Sequence, residues 1–286
     1  MKALISVDME GISGIVHSSE TNPERYDYQR GRELMTAEAN AVIAGVLDAE
    51  PTADVLVADA HGTFRNLLPE QLDRRARLVR GKPRALNMLA GLDAETDAAL
   101  FVGYHVRAGE GPGVLAHTMN GEILDVRVTG HAPGEDVRTA GRSLGEIGLN
   151  AAMAGHLGVP VVLLSGDDAA CAEAADLIPG TVTVPVKEAL GMAAAVTLHP
   201  EEARDRLRRA AADAVSRRTE IPPLALTGPL DVEVDLASPH TIDLATLVPG
   251  VSRTAGARTV AFTAPDYGTA YRLILLLAQL ATIRPA

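Results

Sequence analysis

Three short apolar runs in this chain each end in side chains able to bind a metal or move a proton. Ala3–Val7 gives way to Asp8-Met9-Glu10, Val55–Ala58 to Asp59-Ala60-His61, and Ala98–Val102 to Gly103-Tyr104-His105. Residues two apart on extended backbone project to the same side. Asp8 and Glu10 therefore face one way while Met9 packs the other, and Gly11 and Gly14 let the chain turn sharply afterwards. Two carboxylates and two imidazoles form a donor set for Zn²⁺. Hydrolytic sites often use metal pairs about 3.5–4 Å apart bridged by a carboxylate, and Asp8 is the natural bridge for such a pair.

Each of these residues also has an ordinary reading. An Asp after a strand is often a turn or cap residue, His61 in Asp59-Ala60-His61-Gly62 suits a loop cap, and Asp59 suits the role of orienting a neighbour. His105 alone reads equally as a satisfied interior histidine. Their conjunction at three strand ends is what points to a metal or catalytic site. His117 follows across a loop carrying Gly109, Gly111 and Gly113; as a non-ligand histidine it could serve as base, acid or nucleophile. His17, His131, His156, His199 and His240 lack comparable surroundings and read as solvent-facing or structural.

Elements must exist to position these groups. The apolar runs are continuous rather than alternating, which suits strands covered on both faces of a parallel sheet. In such sheets the carboxyl ends of the strands line the ligand crevice, so strands distant in sequence converge there. Helices are predicted over Leu34–Leu47, over Leu144–Leu157, where Gly158 and Pro160 end it, and over Pro200–Arg218. A fourth apolar run, Val159–Leu164, leads to Ser165-Gly166-Asp167-Asp168, with Asp168 expected as the N-cap of an Ala-rich helix that holds an inert Cys171. This alternation predicts an α/β fold with an open, mostly parallel sheet flanked by helices over residues 1–220. Residues 221–286 read as a smaller α+β region packing on it. That region enters at Pro222–Pro223, continues through strands at Asp231–Leu236 and Thr259–Thr263, and closes with a helix over Ala264–Ala281.

Composition narrows the function classes. Of the 286 residues 47% are hydrophobic but only 3% aromatic, with no Trp, and the formal charge is −11. Base-stacking nucleic-acid readers need aromatic platforms and basic grooves, so no nucleic-acid partner is expected. The mean hydropathy of +0.10 speaks against disorder. Met1–Gly11 reads as a first buried strand rather than a secretory leader, and Leu273–Ala281 is too short to cross a bilayer. A single cysteine excludes an internal disulfide and a Cys-based zinc knot. A cytoplasmic enzyme with no membrane partner is the expectation.

With those residues in view, Ser6-Val7-Asp8-Met9-Glu10-Gly11 resembles the Ser-x-Asp-x-Glu-Gly signature of the DppA-type D-aminopeptidases, a zinc metallopeptidase family. Further matches follow in order: Met35-Thr36-Ala37-Glu38-Ala39-Asn40, Asp59-Ala60-His61-Gly62 with Asn66, Arg80-Gly81-Lys82-Pro83-Arg84, Gly103-Tyr104-His105, and His117-Thr118-Met119. Gly145-Glu146-Ile147-Gly148-Leu149-Asn150, Ser165-Gly166-Asp167-Asp168, Lys187 and Ala264-Pro265-Asp266-Tyr267 complete a resemblance that spans nearly the whole chain.

The resemblance implies that Asp8, Glu10, His61, His105 and Glu146 bind two zinc ions per subunit, with Asp8 bridging them, and that His117 is the catalytic histidine. It further implies removal of the amino-terminal residue from short D-amino-acid peptides, and a homo-oligomer of stacked rings, a decamer, with active sites facing an inner cavity. One departure is visible. His117 and Glu146 are 29 residues apart (146 minus 117), longer than the family pattern, and Glu135 lies nearer the usual spacing. The surroundings match around Glu146 instead. An insertion at His131–Asp136, in a hairpin turn between Val126–Thr129 and Val137–Thr139, reconciles the two, since surface loops absorb added residues at little cost. Other readings of the same residues are a metal-dependent amidohydrolase acting on a different aminoacyl substrate, and a non-catalytic metal-binding homologue.

Overall fold

The structure, a computed structural model, describes residues 1–130, 141–254 and 256–284. In chain order its first half runs β1 (Lys2–Val7), α1 (Ser18–Thr21), α2 (Tyr28–Ala49), β2 (Asp54–Asp59), β3 (Arg77–Val79), β4 (Ala98–Val102), β5 (Ile123–Gly130), β6 (Arg142–Ser143) and α3 (Glu146–His156). It continues with β7 (Val161–Asp167), α4 (Asp168–Leu177), β8 (Val182–Gly191), β9 (Ala194–Thr197), α5 (Pro200–Ser216), β10 (Leu230–Leu236), α6 (Pro239–Ala245), β11 (Ser252–Arg253), β12 (Thr259–Ala264) and α7 (Tyr267–Leu280).

Among the described residues the strands form two sheets. The larger has the order β3-β2-β1-β4-β7-β8-β9, and every pairing in it is parallel except β8 with β9. From β1 the chain winds outward to β2 and β3 on one side, then crosses to β4 on the other. The order therefore reverses between β1 and β4, and a sheet of this kind opens a crevice at that switch point, beyond the carboxyl ends of its strands.

Both faces are covered, which explains the continuous apolar runs. Ala3, Ile5 and Val7 pack with Val42, Ile43, Leu207 and Ala211 of α2 and α5. Leu4 faces the opposite layer with Phe101, Ile147, Tyr267 and Tyr271. The smaller sheet is antiparallel, in the order β11-β12-β10-β5-β6. In β10, Val232 and Val234 are buried while Asp231 and Glu233 are exposed, the alternation of a strand with one wet face.

The predicted elements differ from the observed ones in places with local causes. The last helix begins at Tyr267 rather than Ala264, because Asp266 caps it by accepting from Thr269 N–H. The cap of α4 is Asp167, whose Oδ1 accepts from Ala170 N–H at 2.8 Å; Asp168, one residue on, instead accepts from Ala189 N–H. The smaller sheet draws β5 and β6 from before residue 220, where the sequence reading placed its division, and β10 and its neighbours from after it. β5 pairs with Arg142–Ser143; the expected strand Val137–Thr139, the inserted His131–Asp136 and Glu135 lie outside the described residues.

Candidate metal centre

The strand ends stay in register beyond the sheet. Asp8 N–H donates to Val102 C=O at 2.8 Å, Ala60 N–H to Val7 C=O at 2.8 Å, and Tyr104 N–H to Ser165 C=O at 2.9 Å. Two glycines then let the β1 and β4 loops touch backbone to backbone. A Cβ on Gly103, whose φ is +70°, would lie 2.4 Å from the Asp8 carbonyl oxygen, and one on Gly11 would lie 2.1 Å from that of Tyr104. Met9 is buried in the core, as its place between Asp8 and Glu10 requires.

Three buried groups hold these loops from behind. Lys187 on β8 donates through Nζ to the carbonyls of Glu10 (2.5 Å), Ile12 (3.1 Å) and Ile15 (2.6 Å). Glu38 on α2 accepts from Ser13 N–H at 2.8 Å. Asp59 accepts from the N–H groups of Asn66 and Leu67, and Asn66 donates onward to the His61 carbonyl at 2.6 Å. Asp59 is thus an orienting residue.

The structure brings Asp8, Glu10, His61, His105, His117 and Glu146 into one cluster. His61 Nδ1 lies 2.9 Å from Glu10 Oε2 and 3.3 Å from Asp8 Oδ1. His105 Nε2 lies 3.6 Å from Asp8 Oδ2 and 3.5 Å from Glu146 Oε1. His117 stacks on His105 with ring centroids 4.0 Å apart, and its Nε2 is 3.7 Å from Glu146 Oε1. Glu146 opens α3 and also accepts from Met119 N–H at 2.6 Å, which ties it to the His117 loop. Potential ligand atoms of Asp8, Glu10 and His105 lie within 4.8 Å of one another, as do those of His105, His117 and Glu146.

Each imidazole is oriented by a main-chain carbonyl: Thr21 C=O at His61 Nε2 (2.9 Å), Val106 C=O at His105 Nδ1 (3.1 Å) and Leu115 C=O at His117 Nδ1 (2.8 Å). In a neutral imidazole, a ring nitrogen that donates to a carbonyl leaves the other as a lone pair, the arrangement usual for metal-binding histidines.

Burial and mutual charge shift the metal-free groups strongly. Burial, reinforced by Glu10, pushes the Asp8 carboxyl up to about 8. Burial also acts to raise Glu10, but the adjacent His61 outweighs it and holds Glu10 well below the usual range. Burial opposes protonation of His105, yet Glu146 and Asp8 carry it up to about 10. Desolvation and the neighbouring charge of His105 push His117 down. For Glu146 burial is outweighed by His105, and its carboxyl is lowered.

His105 Nε2 tests whether a metal fits. It is buried, aimed between two carboxylates, and has no hydrogen-bond partner among the described residues. A cation between it and those acids would satisfy all three. The donors are nitrogen and oxygen without thiolate, and the buried acids supply the compensating charge, so the residues present fit zinc.

Asp8, Glu10, His61, His117 and Glu146 line a cavity of about 260 Å³ together with Phe64, Lys82, Met119 and, from α7, Leu275 and Ala278. Sequence reasoning missed the α7 wall and the work of Lys187. An apolar helix reads as core whichever residues edge a cavity, and a lone lysine on a strand carries no signal of the carbonyls it will meet.

Acids and imidazoles gathered at the switch point of an α/β sheet are the framework of a metallohydrolase. The family model described as D-aminopeptidase matches residues 1–276, and the chain belongs to that peptidase family. It is 38% identical over 281 residues to a D-aminopeptidase of Bacillus subtilis (strain 168), covering 98% of each chain. It also superposes, with a TM-score of 0.92, 35% identity and full coverage of both chains, on a solved structure described as the Zn-dependent D-aminopeptidase DppA from Bacillus subtilis, a self-compartmentalizing protease.

Proposed function

We propose that this chain is a zinc-dependent aminopeptidase that removes the amino-terminal residue of short D-amino-acid peptides. Asp8, Glu10, His61, His105 and Glu146 are the metal ligands in this reading, holding two zinc ions with Asp8 between them, and His117 is the catalytic residue. The observation that carries it is His105 Nε2, buried and unpartnered between the carboxylates of Asp8 and Glu146. Family membership and the zinc dependence stated for the Bacillus subtilis structure support the choice of metal and substrate.

Zinc, when bound, supplies a Lewis acid that polarises a carbonyl and makes water more acidic. The chain's own residues do the rest. Burial favours the neutral form of His117, and its Nδ1 is engaged by Leu115, so Nε2 is free to accept a proton. It takes that proton from the attacking water as oxygen joins the scissile carbon. It returns the proton to the leaving nitrogen as the C–N bond breaks. A cavity of about 260 Å³ suits a short peptide, being below the roughly 300–1,000 Å³ of drug-sized sites.

Among the described residues no helix is long and apolar enough to cross a membrane; the proposed location is the cytoplasm. The proposed assembly is a homo-oligomer, specifically a decamer, in keeping with the self-compartmentalizing relative. The test is His117→Ala assayed on D- and L-aminoacyl peptides beside zinc analysis. Wild-type turnover of D-peptides, with full zinc but no turnover in the variant, is expected. Retained activity in a zinc-loaded variant removes His117 from the mechanism, and a wild-type protein that neither holds zinc nor gains activity from it refutes the reading.

A further inference from the structure

The segment Arg80-Gly81-Lys82-Pro83-Arg84 carries three cations, of which Lys82 lines the cavity. The two arginines are occupied by main chain. Arg80 donates to Arg65 C=O at 3.2 Å, and Arg84 donates to the carbonyls of Val79 (3.2 Å), Asn87 (2.8 Å) and Asp59. Lys82 differs. Its ammonium lies 5.4 Å over the Phe64 ring, on the cavity wall, and no carboxylate among the described residues stands within ion-pairing distance of it.

Phe64 fixes where that charge sits. The residue is buried at a φ of +59°, a costly conformation for a bulky side chain that the surroundings must impose. Its N–H donates to His61 C=O at 2.7 Å, its C=O accepts from Gly81 N–H at 2.6 Å, and the Arg84 guanidinium lies 4.1 Å from its ring. The lysine is therefore carried on a platform tied directly to His61.

Asp8, Glu10 and Glu146, metal ligands in the reading above, line the same cavity. Lys82 is the one side chain with a fixed positive charge among the described residues lining the cavity. A short peptide with a free C-terminus carries a carboxylate a short distance beyond the scissile bond, and that carboxylate needs a cation. We propose that Lys82 binds the C-terminal carboxylate of the peptide substrate, so that the cavity recognises the far end of a short peptide as well as its scissile bond. This rests on the aminopeptidase reading above and adds a site for the opposite end of the substrate.

The test uses the zinc-loaded, assembled enzyme with D-Ala-D-Ala and D-Ala-D-Ala amide, comparing wild type with Lys82→Met and Lys82→Gln. Wild type is expected to favour the free acid. Both variants should raise KM for the free acid by about 10- to 100-fold, the effect of losing one charged hydrogen bond, while the amide responds by less than about threefold. Lys82→Arg should restore part of the discrimination. Equal losses on acid and amide, or no loss on either, would overturn the proposal. So would a fall in assembled mass by light scattering that accounts for the loss, because Lys82 would then serve a subunit contact. A wild-type enzyme inactive on every D-peptide would instead defeat the aminopeptidase reading and this inference with it.

Discussion

Replacing Lys187 by Met measures how far the loop after β1 depends on one buried cation. Lys187 Nζ donates to the carbonyls of Glu10, Ile12 and Ile15. The Ile12 carbonyl also receives Ile15 N–H at 3.2 Å, so methionine strands the other two. A buried carbonyl left unpaired costs about 1–3 kcal/mol, giving a gross loss of about 2–6 kcal/mol. Against this, the variant escapes the cost of burying an ammonium. That cost is visible in the Lys187 pKa, which burial pushes from 10.5 down to about 8, a difference of roughly 3 kcal/mol at 1.36 kcal/mol per pH unit. Global stability should therefore change by no more than about 3 kcal/mol, from a gain of about 1 to a loss of about 3. The local effect has one direction. The segment presenting Glu10 loses its tie to β8, and zinc affinity should fall about 10- to 100-fold, as when an orienting group behind a ligand is removed. Chelator competition on apo protein gives the affinity, and urea unfolding gives the stability. A variant that binds zinc within about twofold of wild type while its urea midpoint drops would show that Lys187 supports the sheet and not the ligand loop.

Metal-free Asp8 and His105 hold protons at neutral pH, with pKa values near 8 and 10, so zinc bound as proposed would have to displace them. Affinity should rise with pH through neutrality, and calorimetry in two buffers of different ionisation enthalpy should find at least about one proton released per site at pH 7; no release would refute this. Burial raises Glu38 from 4.5 to about 7. Folded apo protein thus binds more protons than unfolded chain between those values, and this contribution to stability, present below about 4.5, is lost as pH rises through about 7. Glu38→Gln should flatten the pH 4.5–7 decline by about 2–3 kcal/mol, and an unchanged slope in denaturant melts would show that other groups cause it. Gly103→Ala combines a positive φ with a Cβ 2.4 Å from the Asp8 carbonyl and should cost about 2–4 kcal/mol. Gly62→Ala, at φ +52° but facing open space, is its control at about 1 kcal/mol, and equal thermal shifts in the two variants would discount the clash.

The sheet was legible because Leu4 and Ile5 face different layers, so burial on both sides left an unbroken apolar run in the sequence. The convergence of Asp8, His61 and His105 followed from one geometric rule about parallel strands. Glu146 was reachable only through resemblance, since it enters from α3 after an excursion through the smaller sheet and no local pattern links it to β1. The α4 cap was displaced by one residue because adjacent aspartates are equivalent in sequence, and β7 continues through Asp167 before the chain turns. The orienting carbonyls of Thr21, Val106 and Leu115 were hidden for a simpler reason: main chain is the same at every position, and only the folded path determines which oxygen meets an imidazole.

Helix α7 supplies part of the cavity wall through Leu275 and Ala278, and the Ala278 carbonyl accepts from Asn120 Nδ2 at 3.0 Å beside the His117 loop. All six residues of the cluster precede it in the chain. During synthesis, which delivers residues from the amino end at about 5–20 per second, the acids and histidines of the cluster leave the ribosome long before this wall does. Until α7 arrives, α3 also lacks the hydrogen bonds that Tyr267 and Tyr271 donate to Leu149 and Asn150, and no peptide can be enclosed over the cluster. The order of translation therefore places a delay between having the chemistry and having somewhere to use it, and the hydrolytic centre closes only when the last helix docks.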